Sequence, residues 1–182
     1  MGNVGLIKLQ GAWSMNFASR RSSLLPLGAS VLAMAAAFSA QYGLGWVPCE
    51  LCLLQRIPIL LAGMAAMGSF YPCQTQVVRR FLVILAALLF LGTSVLAAYH
   101  VGVEQHWWLY NGGCSRDPNE IQGAVDFAAA LSHPVVVRCD EPPWKWHGIT
   151  MAGLNVVYSA MVGIVTLLLL LLKCEWSGKD GR

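Results

Sequence analysis

The stretch FLVILAALLFLGTSVLAAY, residues 81–99, decides the fold of this chain. It holds no charged residue and is close in length to the ~20 residues that a helix needs to cross a hydrocarbon core of roughly 30 Å. Three more apolar blocks flank it in the sequence, at Leu24–Leu44, Leu51–Phe70 and Gly148–Leu172. Because backbone polar groups in lipid must be satisfied within the segment, each block predicts a transmembrane helix.

The composition agrees with a membrane protein. Hydrophobic residues make up 57% of the 182 residues and charged residues 12%, against roughly 25% charged residues in soluble domains. We predict an all-α membrane protein of one domain, folded as an antiparallel four-transmembrane-helix bundle. The predicted helices cover about 24–44, 51–70, 81–100 and 148–172.

The charged residues predict the orientation in the bilayer. With the N-terminus inside, basic residues dominate the inner segments, which hold Lys8, Arg20, Arg21, Arg79, Arg80, Lys173, Lys179 and Arg182 against Glu175 and Asp180. The outer segments hold only four basic residues, Arg56, Arg116, Arg138 and Lys145, so Lys and Arg are concentrated inside, as the positive-inside rule requires. The tails 1–23 and 173–182 are therefore predicted to be cytoplasmic and the loop 101–147 to lie outside. The formal charge of +3 reports this orientation and predicts no nucleic-acid partner.

The N-terminal block has a second interpretation. Arg20-Arg21 could begin a cleaved signal peptide or a twin-arginine export signal. We expect the block to be retained, because it is long for a signal core and its removal would leave an odd number of spans. Residues 1–19 are expected to be a polar tail, with Met15 as an alternative start.

The long outer loop predicts a helix of its own. Asp117-Pro118-Asn119-Glu120 has the residues of a helix N-terminus: a capping Asp, a Pro in the first turn and a Glu that can bond back. Apolar residues follow at helical spacing, at Ile121, Ala124, Val125, Ala128 and Leu131. We predict a short amphipathic helix lying on the outer membrane surface.

Cys49 and Cys52 form a Cys-x-x-Cys in the opening turn of the second helix. Free N–H groups and the helix dipole favour a thiolate there. Arg56 shares their helix face, where it can stabilise the Cys52 thiolate and donate to a ligand carbonyl; alternatively it extends to the headgroups. A structural disulfide across so small a loop would restrict the unfolded chain very little. This favours a redox-active pair over a structural disulfide.

A zinc site is the third possibility for the Cys-x-x-Cys. It would need Cys114, Cys139 or His147 as further ligands. We predict no metal, because the later cysteines lack a second Cys-x-x-Cys spacing.

Cys114 and Cys139 lie in the outer loop, on the side that permits disulfides. They could form a plain loop staple worth about 3 kcal/mol or a relay by thiol–disulfide exchange with the membrane dithiol. Cys73 and Cys174 fall on the inner side and are expected to be incidental thiols. The sequence leaves the resting disulfide pairing open.

Histidines and one glutamate near the outer end of the third helix are weaker candidates. His100 could hold a ligand headgroup or shuttle a proton, or it is an ordinary interfacial histidine. Glu104 and His106, like His133 and His147, are predicted to be solvated loop residues.

At this point the motifs resemble a known family. The run from Pro48 to Arg56, PCELCLLQR, is similar to the Pro-Cys-x-Leu-Cys-x-x-x-Arg signature of the bacterial disulfide bond formation protein B (DsbB) family. The run YHVGVE from Tyr99 to Glu104 resembles the end of that family's third helix, and the later cysteine pair matches its second periplasmic pair. The resemblance covers about Leu24 to Leu172.

The resemblance implies an enzyme of the bacterial inner membrane, a quinone-dependent protein-disulfide oxidoreductase with periplasmic cysteines. Such an enzyme reoxidises a DsbA-type thioredoxin-fold oxidase and passes electrons to ubiquinone or menaquinone, generating disulfides de novo. The resemblance also assigns roles: the partner attacks at Cys114, Cys139 then attacks Cys49, and Cys52 reduces the quinone. Arg56 would polarise the quinone, with His100 assisting.

The sequence leaves two other functions open. The vitamin K epoxide reductase family also combines a helix bundle with paired cysteines, but there the loop pair precedes the Cys-x-x-Cys, the reverse of the order here. A membrane scaffold stapled by two disulfides is the other alternative.

Overall fold

The computed structural model describes residues 22–71, 75–108, 139–140, 142, 144–146 and 148–179, with side chains for all of these but 146 and 173–179. Within these residues four helices are long and apolar enough to span a membrane. They are α1 (Ser22–Gly43), α2 (Glu50–Gly68), α3 (Gln76–Glu104) and α4 (Met151–Lys179). The predicted all-α four-helix membrane fold is confirmed. The predicted amphipathic helix after Asp117 lies outside the described residues.

The end of α1 positions the cysteine motif. Its last five residues, Ser39–Gly43, are wound as a π-helix, and the amide of Trp46 bonds to the carbonyl of Ala40 at 3.1 Å. Gly45 then adopts a φ of +70°, which favours glycine because a side chain would be strained there. This turn carries the chain to Cys49 at the start of α2.

The third helix begins earlier than its apolar block. Thr75 caps it by accepting a hydrogen bond from the amide of Val78 at 3.4 Å, so α3 starts at Gln76 rather than near 81. Arg79 is buried, and its Nε donates to the carbonyl of Ser69 at 3.1 Å. The cap at Thr75 therefore starts the helix early enough to include Arg79 and Arg80, and the hydrogen bond to Ser69 satisfies the buried Nε of Arg79.

The fourth helix begins later than expected, at Met151 rather than 148. A two-residue antiparallel ladder precedes it, in which β1 (Lys145–Trp146) pairs with β2 (Ile149–Thr150). Gly148 turns between the strands with a φ of +82°. The Thr150 side chain then accepts from the amide of Gly153 at 3.2 Å, which ends the ladder and opens α4.

The core of the bundle is made of small residues and cross-helix hydroxyl bonds. Ala62, Ala66 and Ala86 are fully buried in one cluster with Phe90, and small residues such as alanine let membrane helices approach closely. Three hydroxyls donate to carbonyls of other helices: Ser30 to Ile59 at 3.0 Å, Ser94 to Val156 at 3.0 Å and Tyr158 to Ala29 at 2.7 Å. These bonds join α1 to α2, α3 to α4 and α4 to α1.

Candidate functional site

Cys49 and Cys52 are held together by the start of α2. Cys49 is the N-cap residue, and its sulfur accepts from the amide of Cys52 at 3.3 Å. The two Sγ atoms lie 2.8 Å apart, and both cysteines are free thiols. The backbone thus places the sulfurs where they can share a proton as a dithiol or form a bond on oxidation.

The two sulfurs are not equivalent. The hydrogen bond to Cys52, together with burial, raises the pKa of Cys49 to about 12. Cys49 therefore keeps its proton when the dithiol first ionises. The negative charge then rests on Cys52, which the N-terminal turn of α2 favours.

His100 of α3 lies beside this dithiol and is only 3% exposed. Its Nε2 is 3.7 Å from the Cys49 sulfur and 3.8 Å from Oε1 of Glu104. Its Nδ1 is 3.0 Å from Nε2 of Gln55. The predicted candidate His100 thus lies at the cysteine motif.

A row of polar side chains, in which Gln55 and Ser159 are buried and Asn155 is half-buried, continues from His100 toward α4. Asn155 donates through Nδ2 to Oε1 of Gln55 at 2.7 Å, and the Ser159 hydroxyl donates to Oδ1 of Asn155 at 3.0 Å. Gln55 is 6% exposed and Ser159 fully buried. Sequence reasoning assigned none of these three a role, because each reads as a single polar residue in an apolar block. The sequence did contain one signal of their contact, which is helical spacing. Gln55 lies three residues after Cys52, and Asn155 lies four residues before Ser159, so each pair shares one helix face.

Glu104 corrects an expectation. It was predicted to be a solvated loop residue, but α3 continues through it and it is only 4% exposed. Thr150 covers it and donates to its Oε2 at 2.5 Å. The spacing of four residues from His100 places both side chains on one helix face. His106, in contrast, is exposed, with Nε2 3.9 Å from Asp140.

Cys139 comes from the outer loop and is buried against the dithiol. It packs in one cluster with Cys49, Leu51 and Val103, and Cys52 lies against this cluster. The structure therefore brings three of the four predicted redox cysteines together. Cys114 lies outside the described residues, as do Cys73 and the side chain of Cys174.

Arg56 points toward α1. Its guanidinium donates to Oε1 of Gln41 at 2.7 Å and lies 5.5 Å from the centre of the Phe38 ring, within the range of a cation–π interaction. These two partners were missed from the sequence, because they come from the far end of another helix. Arg56 and both cysteines of the motif line the same cavity.

That cavity has a volume of about 620 Å³ and is formed mainly by α1, α2 and α4. Alanines of α1 leave the room for it: Ala33, Ala36, Ala37 and Ala40. Its polar end carries Cys49, Cys52, Arg56 and His100. The volume lies within the range of roughly 300–1,000 Å³ for small-molecule sites, so an apolar molecule with a few polar atoms fits its shape and chemistry.

Metal ligation was expected to need Cys114, Cys139 or His147. The structure instead offers His100 as a third donor, since one ligand atom each of Cys49, Cys52 and His100 lie within 4.8 Å of one another. Two sulfurs and an imidazole form a ligand set that zinc accepts.

Comparison with known proteins places this site in a family. The family model described as "Disulfide bond formation protein DsbB" matches residues 19–169. The chain belongs to the DsbB family. The predicted resemblance is confirmed, and DsbB membership identifies the chain as a multi-pass membrane protein of disulfide bond formation.

Two curated proteins are similar to this DsbB-family chain. "Disulfide bond formation protein B" of Actinobacillus pleuropneumoniae serotype 5b (strain L20) is 27% identical, over 75% of this chain and 77% of its own length. "Uncharacterized protein RP370" of Rickettsia prowazekii (strain Madrid E) is 25% identical, over 74% of this chain and 78% of its own length. No solved structure matches significantly.

Proposed function

We propose that this protein reoxidises a periplasmic DsbA-type thioredoxin-fold oxidase and passes the electrons to a membrane quinone. It would act in the bacterial inner membrane, with both termini cytoplasmic and the redox cysteines periplasmic. One observation carries the proposal: the Cys49–Cys52 pair is packed with Cys139 and lines an apolar cavity among the membrane spans. Family membership supports the same direction of chemistry.

The partner's electrons would enter through the loop cysteines. A partner thiolate attacks Cys114 of a Cys114–Cys139 disulfide, forming a mixed disulfide and releasing Cys139 as a thiolate. Cys139 attacks Cys49 of the Cys49–Cys52 disulfide, and Cys52 leaves as a thiolate. The burial of Cys139 against Cys49 supports this second exchange.

Two further exchanges would complete the transfer. The partner's second thiolate attacks its own sulfur in the mixed disulfide, which oxidises the partner and releases Cys114. Cys114 then attacks Cys139, restoring the loop disulfide and releasing Cys49. The partner has lost two electrons, and the Cys49–Cys52 pair holds them as a dithiol.

The cavity residues fit a quinone. A quinone ring is apolar and carries two carbonyl oxygens, which need donors at the polar end of the site. Arg56 supplies a guanidinium there, and His100 supplies a ring nitrogen. When bound, the quinone would accept two electrons from the dithiol, so that Cys49 and Cys52 return to a disulfide.

The chain's own residues would prepare that step. Cys52 holds the negative charge, because the pKa of Cys49 is raised to about 12. Arg56 is oriented by Gln41 and Phe38 and presents its charge to the cavity. Ile59 and the α1 alanines exclude water from the apolar end.

The energetics suit an acceptor of this kind. A DsbA-type partner is strongly oxidising, at about −120 mV, and ~30 mV in a two-electron couple corresponds to about 1.4 kcal/mol. Glutathione, at about −220 mV or lower in the cytosol, could not oxidise it. An acceptor of higher potential is needed, and a respiratory quinone is one.

The test is quinone reduction by the purified protein in detergent, supplied with a reduced DsbA-type partner and either ubiquinone or menaquinone. Cys52→Ala is the first variant, and turnover should disappear in it. Cys174→Ala is the matched control, because it removes a cysteine that the relay does not use. Normal partner oxidation by Cys52→Ala would overturn the proposal and favour a stapled scaffold.

A further inference from the structure

His100 is the only described side chain that contacts both the dithiol and the buried polar row of α2 and α4. Its two nitrogens face different surroundings. Nδ1 faces an amide nitrogen, Nε2 of Gln55, at 3.0 Å. Nε2 of the ring faces a carboxylate oxygen and a sulfur, at 3.8 and 3.7 Å. The position of the ring proton decides which of these contacts are attractive.

The polar row indicates which ring nitrogen of His100 carries the proton. Ser159 donates to Asn155, Asn155 donates to Gln55, and Gln55 therefore has its amide hydrogens left for His100. A donor facing Nδ1 requires that nitrogen to be the acceptor. The ring proton is then on Nε2.

The surroundings of Nε2 give the same answer from the other end. A proton on Nε2 points toward acceptors, the Glu104 carboxylate and the Cys49 sulfur. A lone pair there would face the carboxylate instead. Glu104 is itself fixed by the hydrogen bond from Thr150. Both ends of the network thus favour one tautomer, in a buried place where an unsatisfied donor or acceptor is costly.

We propose that Gln55, Asn155 and Ser159 are positioning residues that hold His100 protonated on Nε2, so that this N–H is a hydrogen-bond donor to the reduced acceptor in the cavity that His100 lines. When the dithiol closes, Cys49 and Cys52 together lose two electrons to the quinone, and Cys49 also loses its proton. His100 keeps its Nε2 proton, and the proton that Cys49 loses passes to the reduced acceptor. The acceptor's second proton comes from water.

The proton's destination rests on the proposed function, but the tautomer does not. The same tautomer has a second consequence, because a protonated Nε2 cannot ligate a metal. The polar row would therefore keep the two sulfurs and His100 from capturing zinc while the dithiol waits for its acceptor. Cobalt(II), which reports thiolate ligation by its colour, can probe this.

The experiment is ¹⁵N NMR of the reduced protein with labelled histidine, without partner or quinone, at a pH where imidazole is neutral. We expect the signature of a protonated Nε2 and an unprotonated Nδ1 for His100. Gln55→Glu places a carboxylate against Nδ1 and should move the proton there. Cobalt(II) affinity should then rise about tenfold or more, because second-shell partners change metal affinity by about 10–100-fold.

Two further variants make the outcome decisive. Asn155→Asp offers an acceptor where Asn155 now donates, so the Gln55 amide should turn and the proton should again move to Nδ1. Ser94→Ala removes a similar cross-helix hydroxyl bond outside the row and should keep the wild-type signature. A wild-type proton on Nδ1, or a wild-type signature in both Gln55→Glu and Asn155→Asp, would overturn the inference. Failure of the proposed function would instead appear as absent turnover with the tautomer unchanged.

Discussion

Two groups of buried polar side chains in the bundle are satisfied in different ways. Thr93 and Thr166 in the core are fully buried, and each donates to the carbonyl four residues earlier in its own helix, at 2.9 and 2.7 Å. At the outer end, Gln55, His100 and Asn155 bond to one another across three helices. The first arrangement is local and would survive a change of neighbours, whereas the second requires every partner.

This contrast separates packing from chemistry. A threonine that bonds to its own helix contributes to stability mainly by filling volume. Even hydrogen bonds between membrane helices contribute only about 0.6 kcal/mol on average. The polar row is different, because by orienting His100 beside two thiols it decides which ring nitrogen carries the proton. We therefore expect substitutions at the outer end to change turnover and substitutions in the core to change stability.

The largest effect is expected at Arg56. Arg56→Met removes the charge facing the cavity, and loss of one preorganised electrostatic group lowers kcat by about 10²–10³-fold. Quinone reduction at saturating partner measures it. The bundle should unfold at the same temperature as the wild type, since Arg56 is only partly buried.

Arg79→Met is the counterpart at the inner end of the bundle. Arg79 is buried and bonds to the carbonyl of Ser69, and leaving a buried acceptor unsatisfied costs about 1–3 kcal/mol. Thermal unfolding should therefore show a loss of stability while turnover per folded molecule stays unchanged. A large loss of turnover in Arg79→Met with stability intact would break the comparison.

The next effect concerns the pH dependence of Cys49. Its pKa is raised from 9.0 to about 12 in the folded protein, so the stability it contributes is fully present below the unfolded value. That stability is lost between about pH 9 and 12, as the unfolded thiol ionises first. Thiolate absorbance at 240 nm should show Cys49 ionising only near the upper limit.

Cys52→Ala provides the control for this titration. It removes the hydrogen bond that is the largest cause of the raised pKa, so the pKa of Cys49 should fall toward its ordinary range. Burial alone would keep it somewhat above that range. An unchanged titration in the variant would show that Cys52 is not the cause.

A smaller effect is expected from Thr150→Val. The change removes the donor to Glu104 and leaves a buried carboxylate oxygen unsatisfied, which costs about 1–3 kcal/mol. Turnover should fall more than stability, because Glu104 helps to orient His100. Comparing denaturation with turnover in the same preparation separates the two, and a loss of stability alone would place Glu104 with the packing residues.

The smallest effect is expected from Thr166→Val, in the core. The substitution nearly preserves the volume and removes a bond that Thr166 makes only to its own helix. Stability should change by less than about 1 kcal/mol, and turnover should not change. A strong defect would mean that core hydroxyls are coupled to the site after all.

Much of this structure could be predicted from the sequence, because its main determinants are local. The apolar block at 81–99 needs only its own composition to predict a span. The Cys49–Cys52 pair needs only helix geometry to lie at a helix N-terminus. The first residues of α3 and α4 could not be predicted in this way. They are set by the capping bonds of Thr75 and Thr150, which the pattern of apolar residues does not show.

The rest depends on contacts between distant segments. Glu104 is charged and lies at the end of an apolar block, so it reads as solvated until Thr150 is seen to cover it. Gln41 and Phe38 contact Arg56 because the outer end of α1 lies against the first turns of α2. Such pairings are set by packing, which a single sequence does not reveal.

The central claim is that the dithiol delivers its electrons into the cavity between α1, α2 and α4. The most direct test fills that cavity with Ala37→Phe, with Ala35→Phe as the control because Ala35 lies on α1 outside the cavity lining. We predict that Ala37→Phe still oxidises a single equivalent of reduced partner but loses quinone turnover, while Ala35→Phe behaves like the wild type. Full quinone turnover by Ala37→Phe in a folded protein would contradict the account.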